Sequence, residues 1–147
     1  MNEPIEILVA EDNPDHAELA LLAFKRHRLT NRVHVVSGGK QALDFLHCEG
    51  EFADRKRSEG GELVLLDLGL PDIGGLEVLG QIKANPETKS TPVVMLTASN
   101  VGDDIKESFR LGAAAYIVKP VTFQAFLDAV RQVGIGWTMT GSKSDDD

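Results

Sequence analysis

The chain has a single cysteine, Cys48, in 147 residues, so no internal disulfide can form. Its stability must come from a buried core, which suits a reducing cytoplasm. Long hydrophobic runs are missing as well: no stretch approaches the ~18 apolar residues of a membrane-spanning helix. The beginning, Met1-Asn2-Glu3-Pro4, is acidic and leads straight into a strand pattern, unlike a signal peptide. Positive charge is scarce, with 15 Lys and Arg against 23 Asp and Glu and a formal net charge of -8. A surface that acidic repels nucleic acid and anionic membrane, so neither is expected as a partner. The one basic cluster, Arg55-Lys56-Arg57, lies among Glu51, Asp54 and Glu59 and reads as a solvated loop. His16, His27, His34 and His47 show no metal-ligand spacing and read as scattered surface residues.

A chain of this length with 42% hydrophobic residues suits one domain around one core. Four strand-like apolar runs each stop at a polar residue. Ile5 to Ala10 stops at Glu11-Asp12, Leu63 to Leu66 at Asp67, Val93 to Leu96 at Thr97, and Ala115 to Val118 at Lys119-Pro120. Val33 to Val36 is a shorter strand closed by Ser37-Gly38-Gly39. These runs are nearly continuous rather than alternating, which predicts burial on both faces.

Helical patterns separate the strands. The first opens at Asn13-Pro14, carries Ala17, Ala20, Leu21 and Phe24, and ends near His27 or Arg28. The second carries Ala42, Leu43, Phe45 and Leu46. The third follows Gly74-Gly75 with Leu76, Leu79 and Ile82 and stops before Pro86. The fourth, near Asp103 to Leu111, has Ile105 and Phe109, with Gly112 as its left-handed terminator. The fifth, capped by Thr122, carries Phe123, Phe126, Leu127 and Val130, read as core. Alternating strands and helices with right-handed crossovers predict an α/β doubly wound five-stranded parallel sheet, order 2-1-3-4-5. The domain is expected over residues 5–134, followed by an extension at 135–147 whose acidic tail looks disordered. Glu49 to Glu62 stands out as a long polar loop.

In such a sheet the carboxyl ends of the strands share one edge, where ligands bind. Glu11, Asp12 and Asp67 would meet Thr97 and Lys119 there. Like charges that close cannot all stay ionised unless a cation compensates, so either a pKa rises or a metal binds. Oxygen-only ligands at a phosphate site favour Mg2+. A carboxylate can attack a phosphoryl group, with an ammonium, hydroxyls and backbone donors stabilising the transferring oxygens.

Val9-Ala10-Glu11-Asp12-Asn13, Leu65-Leu66-Asp67-Leu68-Gly69-Leu70-Pro71, Leu96-Thr97-Ala98 and Lys119-Pro120 occur in that order, each closing a strand. With these motifs the chain resembles response-regulator receiver domains of two-component signalling, a flavodoxin-like fold, over Ile7 to Val133. The resemblance implies Asp67 as phosphoacceptor for a sensor histidine kinase or a histidine phosphotransfer protein. It implies Mg2+ held directly by Asp12 and Asp67, by Glu11 mostly through water, and by the Gly69 carbonyl. Thr97 would bond the phosphoryl group, Lys119 would pair with one of its oxygens, and the Lys119-Pro120 bond would be cis. Tyr116 would be the switch aromatic that turns inward with Thr97. Such a protein is a cytoplasmic signalling phosphoacceptor rather than an enzyme, with no cofactor beyond Mg2+. No output domain follows Val133, so signalling is expected through protein contacts or a homodimer. The 49–62 loop, Thr97-Ala98-Ser99 and Trp137 look similar to stand-alone receivers paired with bacterial phytochromes. Trp137 would cover the end of the core or belong to a subunit contact.

Departures from the family pattern are Gly69, which carries no side chain to shield or position a water, the small Ser99, and Gly74 where an Asp is common. Three other functions compete with this one. An aspartate-nucleophile phosphatase would want an acid where Gly69 stands. A flavodoxin-like cofactor binder would not follow its first strand with Glu11-Asp12-Asn13-Pro14-Asp15, which repels phosphate. The third is a receiver-like domain acting without phosphorylation.

Overall fold

In the computed structural model, residues 5–57, 59–98 and 102–133 are described. Apolar strand runs bury themselves between helices, as their lack of alternation predicts. The strands are β1 (Glu6–Ala10), β2 (Val33–Val36), β3 (Glu62–Asp67), β4 (Val93–Thr97) and β5 (Ala115–Val118). The helices are α1 (Pro14–Arg26), α2 (Gly39–His47), α3 (Gly75–Ala84), α4 (Asp103–Arg110) and α5 (Phe123–Val133). All strand pairs are parallel and their order is β2-β1-β3-β4-β5, the expected doubly wound sheet.

Alternate side chains of each strand feed two cores. Leu8, Val64, Leu66 and Met95 pack under Phe45 and Leu46 of α2 and Val78, Leu79 and Ile82 of α3. Ile7, Val9, Leu65, Val94, Leu96 and Ile117 pack against Ala20 and Phe24 of α1 and Phe126 and Ala129 of α5. Each fully buried large side chain is worth about 1.5–3 kcal/mol relative to exposure. The central strands are thereby fixed along their whole length, and so are the positions of their polar ends.

Local signals set the helix ends where expected. Asn13 caps α1 through its side chain, which accepts from the Asp15 and His16 N–H groups. The Thr122 hydroxyl accepts from the Ala125 N–H at the start of α5. Gly112 follows α4 with φ at 111°. Helix α2 has no side-chain cap of its own at Gly38. The carboxylate of Asp72, in the loop after β3, accepts instead from the Gly39 and Lys40 N–H groups at 2.8 and 3.1 Å. Those bonds hold the Asp72 pKa down at about 2.

Reading Arg55-Lys56-Arg57 as a solvated loop fails at Arg55. Lys56 and Arg57 are exposed, but the Arg55 side chain is only 9% exposed. Its Nη2 donates to Glu6 Oε1 at 2.9 Å and Glu62 Oε2 at 2.7 Å. Its Nη1 donates to the Phe45 carbonyl at 2.9 Å, and the guanidinium lies 3.7 Å from the Phe45 ring centroid. Glu6 and Glu62 begin adjacent strands in register, so two buried carboxylates need one shared cation. Burial opposes the charge on Arg55, yet the bonds to Glu62 and Glu6 outweigh it and raise its pKa. The 49–62 loop, which carries a 3-10 turn at Gly50–Phe52, is clamped to the sheet by this residue. The histidines also depart from a scattered-surface reading. His16, His34 and His47 are half-buried and lie 3.9, 3.5 and 3.8 Å from Glu11, Glu6 and Glu87.

Arg55→Ala should destabilise the protein by about 3–5 kcal/mol, the scale of stranding buried charges. Urea unfolding reads this directly, and adding Glu6→Gln to the variant should recover part of the loss.

Candidate functional site

The parallel sheet delivers the polar strand ends to one edge. Glu11 and Asp12 follow β1, Asp67 closes β3, Thr97 closes β4 and Lys119 follows β5. Ligand atoms of Glu11, Asp12 and Asp67 lie within 4.8 Å of one another. Glu11 and Asp67 are buried and Asp12 is exposed. The Lys119 Nζ reaches across the cluster to Glu11 Oε1 at 3.1 Å and Asp67 Oδ2 at 3.3 Å. Asp67 Oδ1 accepts from the Gly69 N–H at 3.0 Å.

Backbone geometry supports each position. The Lys119 N–H donates to the Thr97 carbonyl at 2.8 Å, tying the ends of β4 and β5 together. The Lys119–Pro120 peptide is cis, as the family resemblance implies. Gly75 lets the chain return beneath Asp67. A Cβ there would sit 2.4 Å from the Asp67 carbonyl oxygen and 2.7 Å from the Leu68 Cα. Tyr116 is half-buried in β5, with its ring edge-on to Phe109 at 6.1 Å between centroids. Ser99 and Trp137 lie outside the described residues.

The electrostatics follow from crowding. Burial raises the Glu11 pKa and the nearby Asp67 carboxylate adds to the rise, against the lowering effect of the Asn13 N–H and Lys119. Burial also disfavours the Lys119 ammonium, but Glu11 and Asp67 more than compensate and its pKa is raised. With every group ionised, three carboxylates face one ammonium and two negative charges are left over. An oxygen-only set with that excess fits a hard divalent cation. Glu11, Asp12 and Asp67 are the residues able to hold it.

The sequence profile of the response regulator receiver domain matches residues 7–131. The chain belongs to the response regulator receiver family. It is 42% identical to the solved bacteriophytochrome response regulator AtBRR, with a TM-score of 0.83 over 93% of this chain and 97% of that one. The bacteriophytochrome response regulator RtBRR is 41% identical, with a TM-score of 0.84 over 99% of this chain and 85% of that one. Response regulator Rcp1 of Synechocystis sp. is 33% identical over 95% of this chain and 92% of its own length. Rcp1 has also been solved in an Mn2+-bound form, with a TM-score of 0.72 to this chain over 92% of it and 99% of that chain at 32% identity. These neighbours agree with the expected similarity to stand-alone, phytochrome-associated receivers. No helix among the described residues is long and apolar enough to cross a membrane.

Glu11, Asp12, Asp67, Gly69, Thr97, Lys119 and Pro120 lie at or beside this edge, Tyr116 lies inside β5 level with Met95, and one neighbour was missed. His16 Nδ1 is 3.3 Å from Lys119 Nζ. A signal for it existed: His16 lies four residues after Asp12, in the first turn of the helix that leaves the site.

A carboxyl whose pKa is higher folded than unfolded binds its proton more tightly in the folded state. Stability contributed by Glu11 is therefore full below the ordinary glutamate range and declines as pH rises through the raised value. In EDTA, the unfolding temperature of wild type minus that of Glu11→Gln should fall as pH rises above the ordinary glutamate range.

Proposed function

We propose that the chain is a stand-alone receiver, folded over residues 5–134 with 135–147 as an extension, that accepts a phosphoryl group on Asp67. The observation carrying this reading is the Asp67 carboxylate held 3.3 Å from the Lys119 ammonium inside a three-carboxylate cluster. One oxygen of Asp67 attacks the phosphorus of a phosphohistidine. An O–P bond forms, the P–N bond breaks, and the imidazole leaves with the electron pair. A Mg2+ ion at Glu11, Asp12, Asp67 and the Gly69 carbonyl would neutralise charge on the transferring oxygens.

Lys119 pairs with one phosphoryl oxygen, and its raised pKa keeps it charged for the task. The Thr97 hydroxyl takes another oxygen and moves toward it. Tyr116 turns inward behind Thr97 and remodels the face of α4, β5 and α5, a local charge event biasing a two-state element. The donor is a sensor histidine kinase or a histidine phosphotransfer protein, and similarity to AtBRR and RtBRR favours a phytochrome-type kinase. The signal leaves through protein contacts or a homodimer. The net charge of -8 argues against direct nucleic-acid or membrane partners, and the chain acts as a cytoplasmic signalling phosphoacceptor rather than an enzyme.

Acetyl phosphate with Mg2+ should add one phosphoryl group, read by intact mass. Asp67→Asn or EDTA should abolish the adduct, and Lys119→Ala should slow its formation at least about tenfold, roughly 1.4 kcal/mol of barrier. A folded wild type that stays unlabelled rejects the proposal.

A further inference from the structure

The Lys119 ammonium has three N–H donors and no acceptor. Its three close partners are Glu11 Oε1 at 3.1 Å, Asp67 Oδ2 at 3.3 Å and His16 Nδ1 at 3.3 Å. The ammonium can only donate, so this contact is a hydrogen bond when Nδ1 of His16 is the unprotonated ring nitrogen and the ring proton is on Nε2; the same Nδ1 lies 3.9 Å from Glu11 Oε2. We propose that His16 is a positioning residue that anchors the Lys119 ammonium beside Asp67, and that it is the anchor exchanged for an incoming phosphoryl oxygen. This deepens the phosphoacceptor reading and rests on it for its kinetic consequence.

The three anchors differ in kind. Glu11 and Asp67 are buried carboxylates, at 2% and 7% side-chain exposure, whereas the His16 side chain is 42% exposed. Giving up a bond to a buried carboxylate strands a charge, but a half-buried imidazole with one side in solvent recovers its bond from water. The His16 contact is therefore the cheapest of the three to release. The helix holds it in place meanwhile: Asn13 Oδ1 accepts the His16 N–H at 3.3 Å and the Asp15 N–H at 2.9 Å, and Pro14 occupies the first turn.

The direction of the pull matters as much. Glu11 and Asp67 draw the ammonium inward, toward the nucleophile. His16, on the solvent side, keeps one N–H aimed away from it. Without that third anchor the freed N–H turns to water, and the ammonium can shift onto Asp67 and quench the attacking oxygen.

The test compares wild type, His16→Ala, His16→Phe and His16→Asn under acetyl phosphate and Mg2+. The maximal labelling rate should fall about fivefold in His16→Ala and His16→Phe, the scale of one typical net hydrogen bond. The half-saturating acetyl phosphate concentration should change little. His16→Asn keeps an acceptor oxygen and should restore most of the rate, which a merely structural role would not require. A second readout needs no phosphoryl donor or metal: the Lys119 Nζ signal in 15N NMR of protein in EDTA should broaden in His16→Ala and His16→Phe through faster exchange with water. Unchanged labelling rates, an Asn variant no better than Phe, or an unchanged Nζ signal would each overturn the proposal. If the wild type takes no label while the Nζ signal still responds to His16, the phosphoacceptor reading fails and the anchoring stands.

Discussion

The ammonium of Lys119 between Glu11 and Asp67 is the contact on which the site depends. Two buried carboxylates this close would otherwise repel, and burial would push protons onto them. One cation from the end of β5 reaches both β1 and β3 ends. It lowers the repulsion without cancelling it, so the cluster stays negative. A site proposed to take up a cation and then a phosphoryl group needs both properties: enough positive charge to fold, and too little to be satisfied. The raised pKa of Glu11 is the mark of that incomplete balance.

Much of this was legible in the sequence because of how parallel sheets are buried. Strands covered on both faces must be apolar along their length, so the first polar residue marks where a strand emerges. Glu11, Asp67, Thr97 and Lys119 are such first residues, and the strand order follows from the alternation of elements. What stayed hidden depended on partners remote in sequence. Arg55 looks solvated among local acids, but its partner Glu6 is 49 residues away. Asp72 caps a helix that begins 33 residues earlier. Neither pairing leaves a local pattern. His16 is a different case, since its helical spacing from Asp12 points to the site while its residue type fits no ligand pattern.

The two ends of the sheet show what makes an acidic cluster structural or reactive. β1 begins near Glu6 and is followed by Glu11; β3 begins with Glu62 and ends with Asp67. Both ends therefore bring carboxylates together, and both have a histidine within 4 Å of one of them, His34 at Glu6 and His16 at Glu11. At the Glu6–Glu62 end, Nη2 of Arg55 bridges both carboxylates while the guanidinium lies over the Phe45 ring, and Arg32 adds a second cation 3.6 Å from Glu6. Two negative charges meet two positive ones there, so no ion is called for.

At the Glu11–Asp67 end the third carboxylate, Asp12, tips the count, and the cation is a lysine rather than an arginine. That difference has consequences. A guanidinium fixed by several bonds in one plane makes a permanent clamp, whereas a flexible ammonium can exchange one N–H at a time. The exposed position of Asp12 then leaves the excess charge facing solvent, where a divalent cation can reach it. Counting carboxylates alone would rank the two ends nearly alike. Charge balance, the type of cation and the exposure of the last acid separate them, and all three favour the edge that holds Asp67.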